Sequence, residues 1–454
     1  MGVFGLDRPI LKHEAASWQV IKALAALGGA AVVRQRNFLQ PHHSHARCII
    51  LNCLVGKKLR RYAMPIAVAD TLLTSLHAAL ASQGSQWANA PLERLKDKGL
   101  AHDHVRLCGT CILARIPKQS QLQLSAQDNL AYQCACFERA SAAGHAPHLR
   151  GVLPPSLQLP RGALLVEEIV GRNAALPGDL GLIVQALASI HALPLPAVAD
   201  RHPLINALDP LHAMLDEVSE QARHVPAAAV GRRVEAVIQA ELERLRKACA
   251  QGGRPPRHLI AFDGHPGNFI IRGRADPQPN RQANRPGIHQ AADVPDSARA
   301  PYDGALGDLR SEAVLVDLEK CRYSYPGLDL AHATLYTSTT WDLDSYAVLE
   351  VADVVGAYAT WGAAVGAQAA NAAQAWHVPL RRAMWLWSIT WCAKWRAVSG
   401  AAAHVSADGE DWSTEHSGSA LVAHVRGRVD HYLSPAVVGR VLAEFDALDQ
   451  AQGA

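Results

Sequence analysis

The chain has 454 residues, 49% of them hydrophobic and 19% charged, with a formal net charge of +3 and nine cysteines. That apolar fraction excludes disorder as the overall state, and the length allows two or three packed lobes. No apolar run reaches the roughly 18 residues that a membrane-crossing helix needs, residues 23–33 being the best candidate near the start, so a soluble protein is expected.

The small net charge hides an asymmetry. Residues 1–63 hold ten Lys or Arg against two acids, a surplus of eight positive charges that leaves the remainder at −5. A basic arm of this kind can touch nucleic acid or anionic lipid. Without sustained helical or strand periodicity, residues 1–63 are read as an extension outside the fold, with Met64 on the boundary and no nucleic-acid or membrane partner expected. Glu14 interrupts the basic stretch and no small-residue cleavage site follows Val33, so a signal peptide is not expected.

From there the pattern predicts a leading helix over residues 65–81 and strands over 104–107 and 112–116, with Cys108-Gly109-Thr110-Cys111 as the hairpin turn between them. The Cys-x-x-Cys spacing, with Cys134 and Cys136 further on, also fits a zinc or dithiol site. His42, His43 and His45 with Cys48 and Cys53 are a weaker metal candidate in the arm. An odd cysteine count without regular spacing argues against a secreted disulfide framework and for a reducing cytoplasm.

A helix is predicted over 129–143 and an apolar strand over 163–170 ending at Gly171, followed by helices over 180–193, 210–222 and 229–250. Three short strands interrupt this helical half, at 258–262, 269–272 and 313–318. Residues 273–312, with five prolines and one aromatic residue, cannot bury enough apolar surface to offset their ordering entropy and are read as a disordered insertion. The expected organisation is therefore residues 1–63, a leading helix and small β-rich lobe over 64–170, and a helical lobe over 171–454.

The first of those strands delivers Asp263 into a Gly- and Pro-shaped loop, and Asn268 follows as the second begins. The third ends on Val316-Asp317-Leu318-Glu319. A carboxylate to orient a hydroxyl, with an amide oxygen and a second carboxylate for a hard cation, suits metal-assisted phosphoryl transfer. Singly, each residue reads equally well as a turn or cap.

Together the blocks resemble the aminoglycoside phosphotransferase and choline kinase-like superfamily, whose members carry H-G-D-x-H-x-x-N, then I-D-x-E, then D-L-A. This chain reads A-F-D-G-H-P-G-N over 261–268, V-D-L-E over 316–319 and D-L-A over 329–331. The resemblance implies an α+β, bilobal protein-kinase-like fold and an ATP- and Mg²⁺-dependent transfer of phosphate to a small-molecule hydroxyl. By it, Asp263 is the catalytic base, Asn268 and Asp317 hold Mg²⁺, and His265, Glu319 and Asp329 support them, Asp329 by bracing the loop through backbone N–H groups. Upstream, residues 99–104 stand at the phosphate-covering loop, Arg115 is the strand cation for the phosphates, and Glu138 is its helix partner. Backbone groups around Glu167 and Ile169 are the adenine-reading hinge.

Ala261 stands where the loop histidine is usual and Arg115 where lysine is, and the phosphate loop is poor in glycine. These departures leave open a nucleotide-binding pseudokinase with a regulatory role. For the acceptor, Trp387, Trp391 and Trp395 recur on one helical face and read either as core or as a pocket wall, while Asp408, Glu410, Asp411 and Glu415 form an acidic loop. Aminoglycoside-, choline-, sugar- and nucleoside-like acceptors, and the oligomeric state, stay open.

Overall fold

The computed structural model describes residues 70–96, 99–273, 311–400 and 417–453, together with the backbone of three strands between residues 31 and 65. The chain divides into two compact units, residues 1–74 and 75–454. The histidines at 42, 43 and 45, nearly all of the insertion (274–310) and the acidic loop lie outside the described residues.

In the first unit β1 (Ala31–Gln35), β2 (Cys48–Val55) and β3 (Lys58–Pro65) form an antiparallel sheet in chain order. The stretch read as lacking strand periodicity therefore contains three strands, and the boundary at Met64 falls inside β3, where Met64 pairs with Ile49. The signal was the near-continuous apolar run of β2, a pattern that suits a strand and that the charge count obscured.

The helix α1 (Thr71–Ser82) leads into the second unit. Its smaller lobe is a five-stranded antiparallel sheet of β4 (Leu92–Arg94), β5 (His102–Leu107), β6 (Ile112–Pro117), β7 (Leu149–Leu153) and β8 (Ala163–Glu167), in the order β4-β5-β6-β8-β7. The Cys108–Cys111 segment is the turn of the β5–β6 hairpin: Leu107 pairs with Ile112, Gly109 and Cys111 take φ of 78° and 57°, and both thiols are free. Helix α2 (Ala126–Ala140) starts where Ser125 Oγ accepts from Asp128 N, and it buries Leu130, Cys136 and Phe137.

The larger lobe begins with β9 (Arg172–Asn173), α3 (Leu180–His191), α4 (Pro210–Ala222), α5 (Arg232–Ala250), β10 (His258–Ile260) and β11 (Phe269–Gly273). Next come β12 (Ser311–Leu315), β13 (Arg322–Ser324), α6 (Pro326–Thr334), α7 (Tyr336–Thr339), α8 (Val351–Val365) and α9 (Ala367–Gln374). The long α10 (His377–Val398), then α11 (Ser419–Tyr432) and α12 (Pro435–Gly453), complete it. One core joins α2 and α3 to β11 and β12; a second gathers α4, α5, α10, α11 and α12. Every residue of α6 is buried, which makes it the central element of this lobe.

The strands on either side of the insertion pair directly, Phe269 with Leu315 and Gly273 with Ser311. Gly273, Ser311 and Glu312, assigned above to the insertion, are therefore strand residues. β9 adds to the other edge of β11, which draws the connector between lobes against that strand. A Cβ at Gly171 would lie 2.4 Å from the Ile271 carbonyl oxygen and 2.6 Å from Ile270 Cγ2. Gly171→Ala is thus expected to cost about 1–3 kcal/mol, because backbone must shift to admit a methyl group. Urea unfolding checks this, and an unchanged midpoint would mean that the connector does not pack on β11.

Candidate active site

The loop after β10 is built by a buried carboxylate. Asp329, fully buried on α6, accepts from Ala261 N at 2.8 Å and Phe262 N at 2.7 Å. This is why β10 ends at Ile260, two residues earlier than its apolar run suggests: the next two amides turn to a side chain instead of a neighbouring strand. Phe262 takes a φ of 63°, in the left-handed region where the superfamily motif has glycine. Its ring compensates by packing against Trp387, with centroids 5.2 Å apart, and beneath the Arg322 guanidinium at 3.5 Å.

His191 Nε2 lies 2.9 Å from Asp329 Oδ2, and Trp361 Nε1 lies 3.0 Å from His191 Nδ1. An indole nitrogen only donates, so Nδ1 accepts and the ring proton sits on Nε2, directed at Asp329.

Asp263 emerges from this frame. Its Oδ2 accepts from Lys320 Nζ at 2.7 Å, its Oδ1 lies 3.6 Å from His332 Nδ1, and its carbonyl accepts from Asn268 Nδ2 at 2.9 Å. Burial alone would raise the Asp263 carboxyl, but the Lys320 ammonium, then His332 and His265, hold it below the ordinary carboxylate range. Burial brings His332 down to about 4, so its ring is neutral, and Nδ1–H donates to the Phe262 carbonyl at 3.2 Å. His332 thus ties down the loop in which Ala261 replaces a histidine. His265 caps the short turn at 266–268 by accepting from Gly267 N.

The second carboxylate is brought in by the β11–β12 ladder, which continues as Val316 N donates to Asn268 O at 2.9 Å. Asn268 and Asp317 therefore project from adjacent positions. Arg115 reaches them from β6 of the smaller lobe: its guanidinium donates to Asp317 Oδ1 at 2.7 Å and to the Val316 carbonyl at 2.9 Å. Against burial, Arg115 and then His102 hold Asp317 well below the ordinary carboxylate range.

The expected Arg115–Glu138 pair is not formed. Glu138 is exposed, and the α2 residue that meets Arg115 is Phe137, whose ring lies 5.4 Å from the guanidinium carbon. One helical step separates the two positions, enough to turn the carboxylate to solvent.

Of the two residues expected at the hinge, Glu167 has its N–H committed to the His148 carbonyl at 2.9 Å and its carboxylate to His148 N. Ile169 N and O make no hydrogen bond among the described residues.

Beneath Asp317 lies a further buried set. His102 Nδ1, Asp317 and Glu319 offer ligand atoms all within 4.8 Å of one another, the only such group among the described residues. His102 Nε2 donates to Gln133 Oε1 at 3.0 Å, which leaves Nδ1 bare and 3.5 Å from Glu319 Oε2. Burial and the neighbouring Asp317 push Glu319 up to about 8, while burial and then Arg115 bring His102 down to about 3. A neutral carboxyl thus faces a neutral ring.

The sign of the linkage follows. A carboxyl raised on folding favours the folded state fully below its unfolded value, near 4.3, and loses that contribution as pH rises toward 8. His102 acts oppositely, costing stability as pH falls below its unfolded value near 6.5. Glu319→Gln removes only the first dependence, so its stability relative to the parent should grow between pH 5 and pH 9. Urea titrations without divalent cations measure this, and a pH-independent difference would contradict it.

Lys320, His332 and Gln133 were not legible as site residues in the sequence, and His102 was legible only as part of the 99–104 segment, not as a neighbour of Asp317 and Glu319. A signal existed for His332, which lies three residues after Asp329 on one helix and so shares its face. Of the tryptophan stripe, Trp387 and Trp395 belong to the core, and Trp387 donates to Glu217 Oε1 at 2.6 Å. Trp391 is half-buried against Trp341, 5.9 Å between centroids.

Among solved structures, the chain is similar to an ethanolamine kinase from Plasmodium vivax, with 10% identity and a TM-score of 0.51 over 83% of this chain and 92% of that one. It is also similar to aminoglycoside 2′-phosphotransferase-IIIa in its GDP complex, with 11% identity and a TM-score of 0.48 over 80% and 98%. A third is a choline kinase from Cryptosporidium parvum, with 10% identity and a TM-score of 0.45 over 84% and 97%. No family model and no curated protein matches the chain. At such identities the likeness bears on the fold alone: the chain has an α+β, bilobal kinase-like fold, similar to that of the Plasmodium vivax ethanolamine kinase.

Proposed function

We propose that the chain is a phosphotransferase that moves the γ-phosphate of ATP, with Mg²⁺, to a hydroxyl of a small molecule. The observation that carries the reading is that Asp263, in the loop after β10, is tied through Asn268 to the end of the β11–β12 ladder where Asp317 follows, with Arg115 reaching across from the other lobe. Residues 75–170 would bind the nucleotide, the free backbone groups of Ile169 reading the adenine edge, and the helical lobe would bind the acceptor.

The donor set fits Mg²⁺. Asn268 spends its nitrogen on the Asp263 carbonyl and keeps Oδ1; Arg115 occupies Oδ1 of Asp317, leaving Oδ2. Both are hard oxygens of the kind Mg²⁺ takes together with nucleotide phosphates. Bound there, the ion would neutralise charge on the phosphates. Arg115 would hold the phosphates from above, and its buried Nε makes no hydrogen bond among the described residues. Asp263 would accept the acceptor hydroxyl, aim its oxygen at the γ-phosphorus and take its proton.

The test is ATP consumption by purified protein with Mg²⁺ against a panel of amino alcohols, aminoglycosides, sugars and nucleosides. Turnover with one class is expected. Binding of MgATP with no transfer to any acceptor would favour the pseudokinase instead.

A further inference from the structure

We propose that Lys320 is a further catalytic residue: its ammonium leaves Asp263 when the acceptor arrives and meets the transferring phosphoryl group. The inference rests on the phosphotransferase reading and adds to it a residue that the Asp263, Asn268 and Asp317 set does not use.

Lys320 follows the metal-side carboxylates directly in sequence, and its side chain is 10% exposed. The ammonium lies 2.7 Å from Asp263 Oδ2 and 5.3 Å from the centroid of the Trp387 ring. It has three N–H donors, and Asp263 is its only hydrogen-bond partner among the described residues. A buried cation with unspent donors beside the catalytic carboxylate is costly to maintain for stability alone. The other cation at the centre, Arg115, spends both Nη atoms on Asp317 and the Val316 carbonyl and reaches the centre from the other lobe, on the metal side and not beside Asp263.

An acceptor hydroxyl must hydrogen-bond to an oxygen of Asp263. Oδ1 lies 3.6 Å from a His332 ring nitrogen that donates to the Phe262 carbonyl, so the exchange arises where the hydroxyl takes Oδ2, the oxygen that Lys320 holds. When the hydroxyl takes Oδ2, the ammonium is displaced on a flexible four-carbon stem and stays over the Trp387 ring face. The γ-phosphoryl oxygens are the nearest new negative charge. The bond from acceptor oxygen to Pγ forms, and the bond from Pγ to the bridging oxygen breaks, its electron pair leaving with ADP. The hydroxyl proton passes to Asp263. Lys320 keeps its protons throughout and stabilises the charge spread over the equatorial oxygens of a loose transition state.

The test does not need the acceptor. MgADP binding is titrated with and without aluminium fluoride, which occupies the position of the transferring phosphoryl group, in the parent chain, Lys320→Gln and Lys320→Arg. Gln retains a neutral donor for Asp263, and Arg retains the charge, so at least one variant keeps the loop supported. The parent is expected to bind MgADP at least ~10-fold more tightly with fluoride. Lys320→Gln should keep its affinity for MgADP alone within ~3-fold and lose that tightening, with Lys320→Arg recovering part of it, as for a cation that stabilises transferring charge. Full tightening in Lys320→Gln would overturn the role of Lys320 and leave the phosphotransferase reading standing. Failure of the parent to bind MgADP at all would instead overturn that reading, and the role of Lys320 with it.

Discussion

Asp263→Asn is expected to lower kcat by about 10³-fold or more while MgADP affinity stays within ~3-fold, since positioning and proton acceptance by one side chain contribute at about this scale. The expectation depends on what holds the loop. The main chain at 263 is fixed by Asn268 through the carbonyl and, one residue earlier, by Asp329 and His332 at Phe262; none of these bonds uses the Asp263 carboxylate. Asparagine keeps the shape and a carbonyl oxygen for Lys320, so the loop survives and only the charge and the proton site are lost. Because Lys320 and the two histidines hold Asp263 below the ordinary carboxylate range, it stays ionised at neutral pH and is a weak base. In the proposed reaction its main work would then be orientation, with proton uptake late, as a loose transition state permits. Parallel turnover and binding measurements decide: retained turnover in Asp263→Asn would remove it from the mechanism, and lost MgADP binding would mean that the substitution had disturbed the loop.

The contrast between what the sequence disclosed and what it did not has a physical basis. Helix periodicity, the β5–β6 hairpin and the three short strands around the catalytic loop were legible because they are local patterns, and the paired strands β11 and β12 could be matched across the intervening insertion by their motifs. The pairings that build the site are not local. Arg115 meets Asp317 across 202 positions, and whether Glu138 or Phe137 faces Arg115 turns on one residue of helix phase. Lys320 was invisible because an ammonium next to two acids reads as a solvated charge until burial is known. The strands of residues 31–65 were hidden for a different reason: β2 carries an apolar run, but β3, with Lys58, Arg60 and Arg61 among its eight residues, lacks the alternation that marks a half-buried strand.

Asp329→Ala is expected to destabilise the larger lobe by about 3–5 kcal/mol, the scale for removing a buried charged partner and orphaning what it held. The wild-type carboxylate accepts three donors: the amides of Ala261 and Phe262 and the Nε2–H of His191. With alanine, two backbone N–H groups and an imidazole lose their acceptor in a site that water does not reach, at about 1–3 kcal/mol each before relaxation. The left-handed conformation of Phe262 also loses one of the two hydrogen bonds that impose it, the amide bond to Asp329, and keeps only its carbonyl bond to His332. Relaxing it would swing Asp263 out of line. Stability and loop geometry should therefore fail together, whereas Asp263→Asn separates them. Trp361→Phe probes the same chain one step back: it leaves Asp329 in place but takes the donor from buried His191 Nδ1 and shortens a buried ring, so it should cost about 1–3 kcal/mol. Urea unfolding of the two variants checks the order. An Asp329→Ala loss no larger than that of Trp361→Phe would mean that the loop after β10 is held by its own packing, with Phe262 under Arg322 and against Trp387, and not by the buried carboxylate.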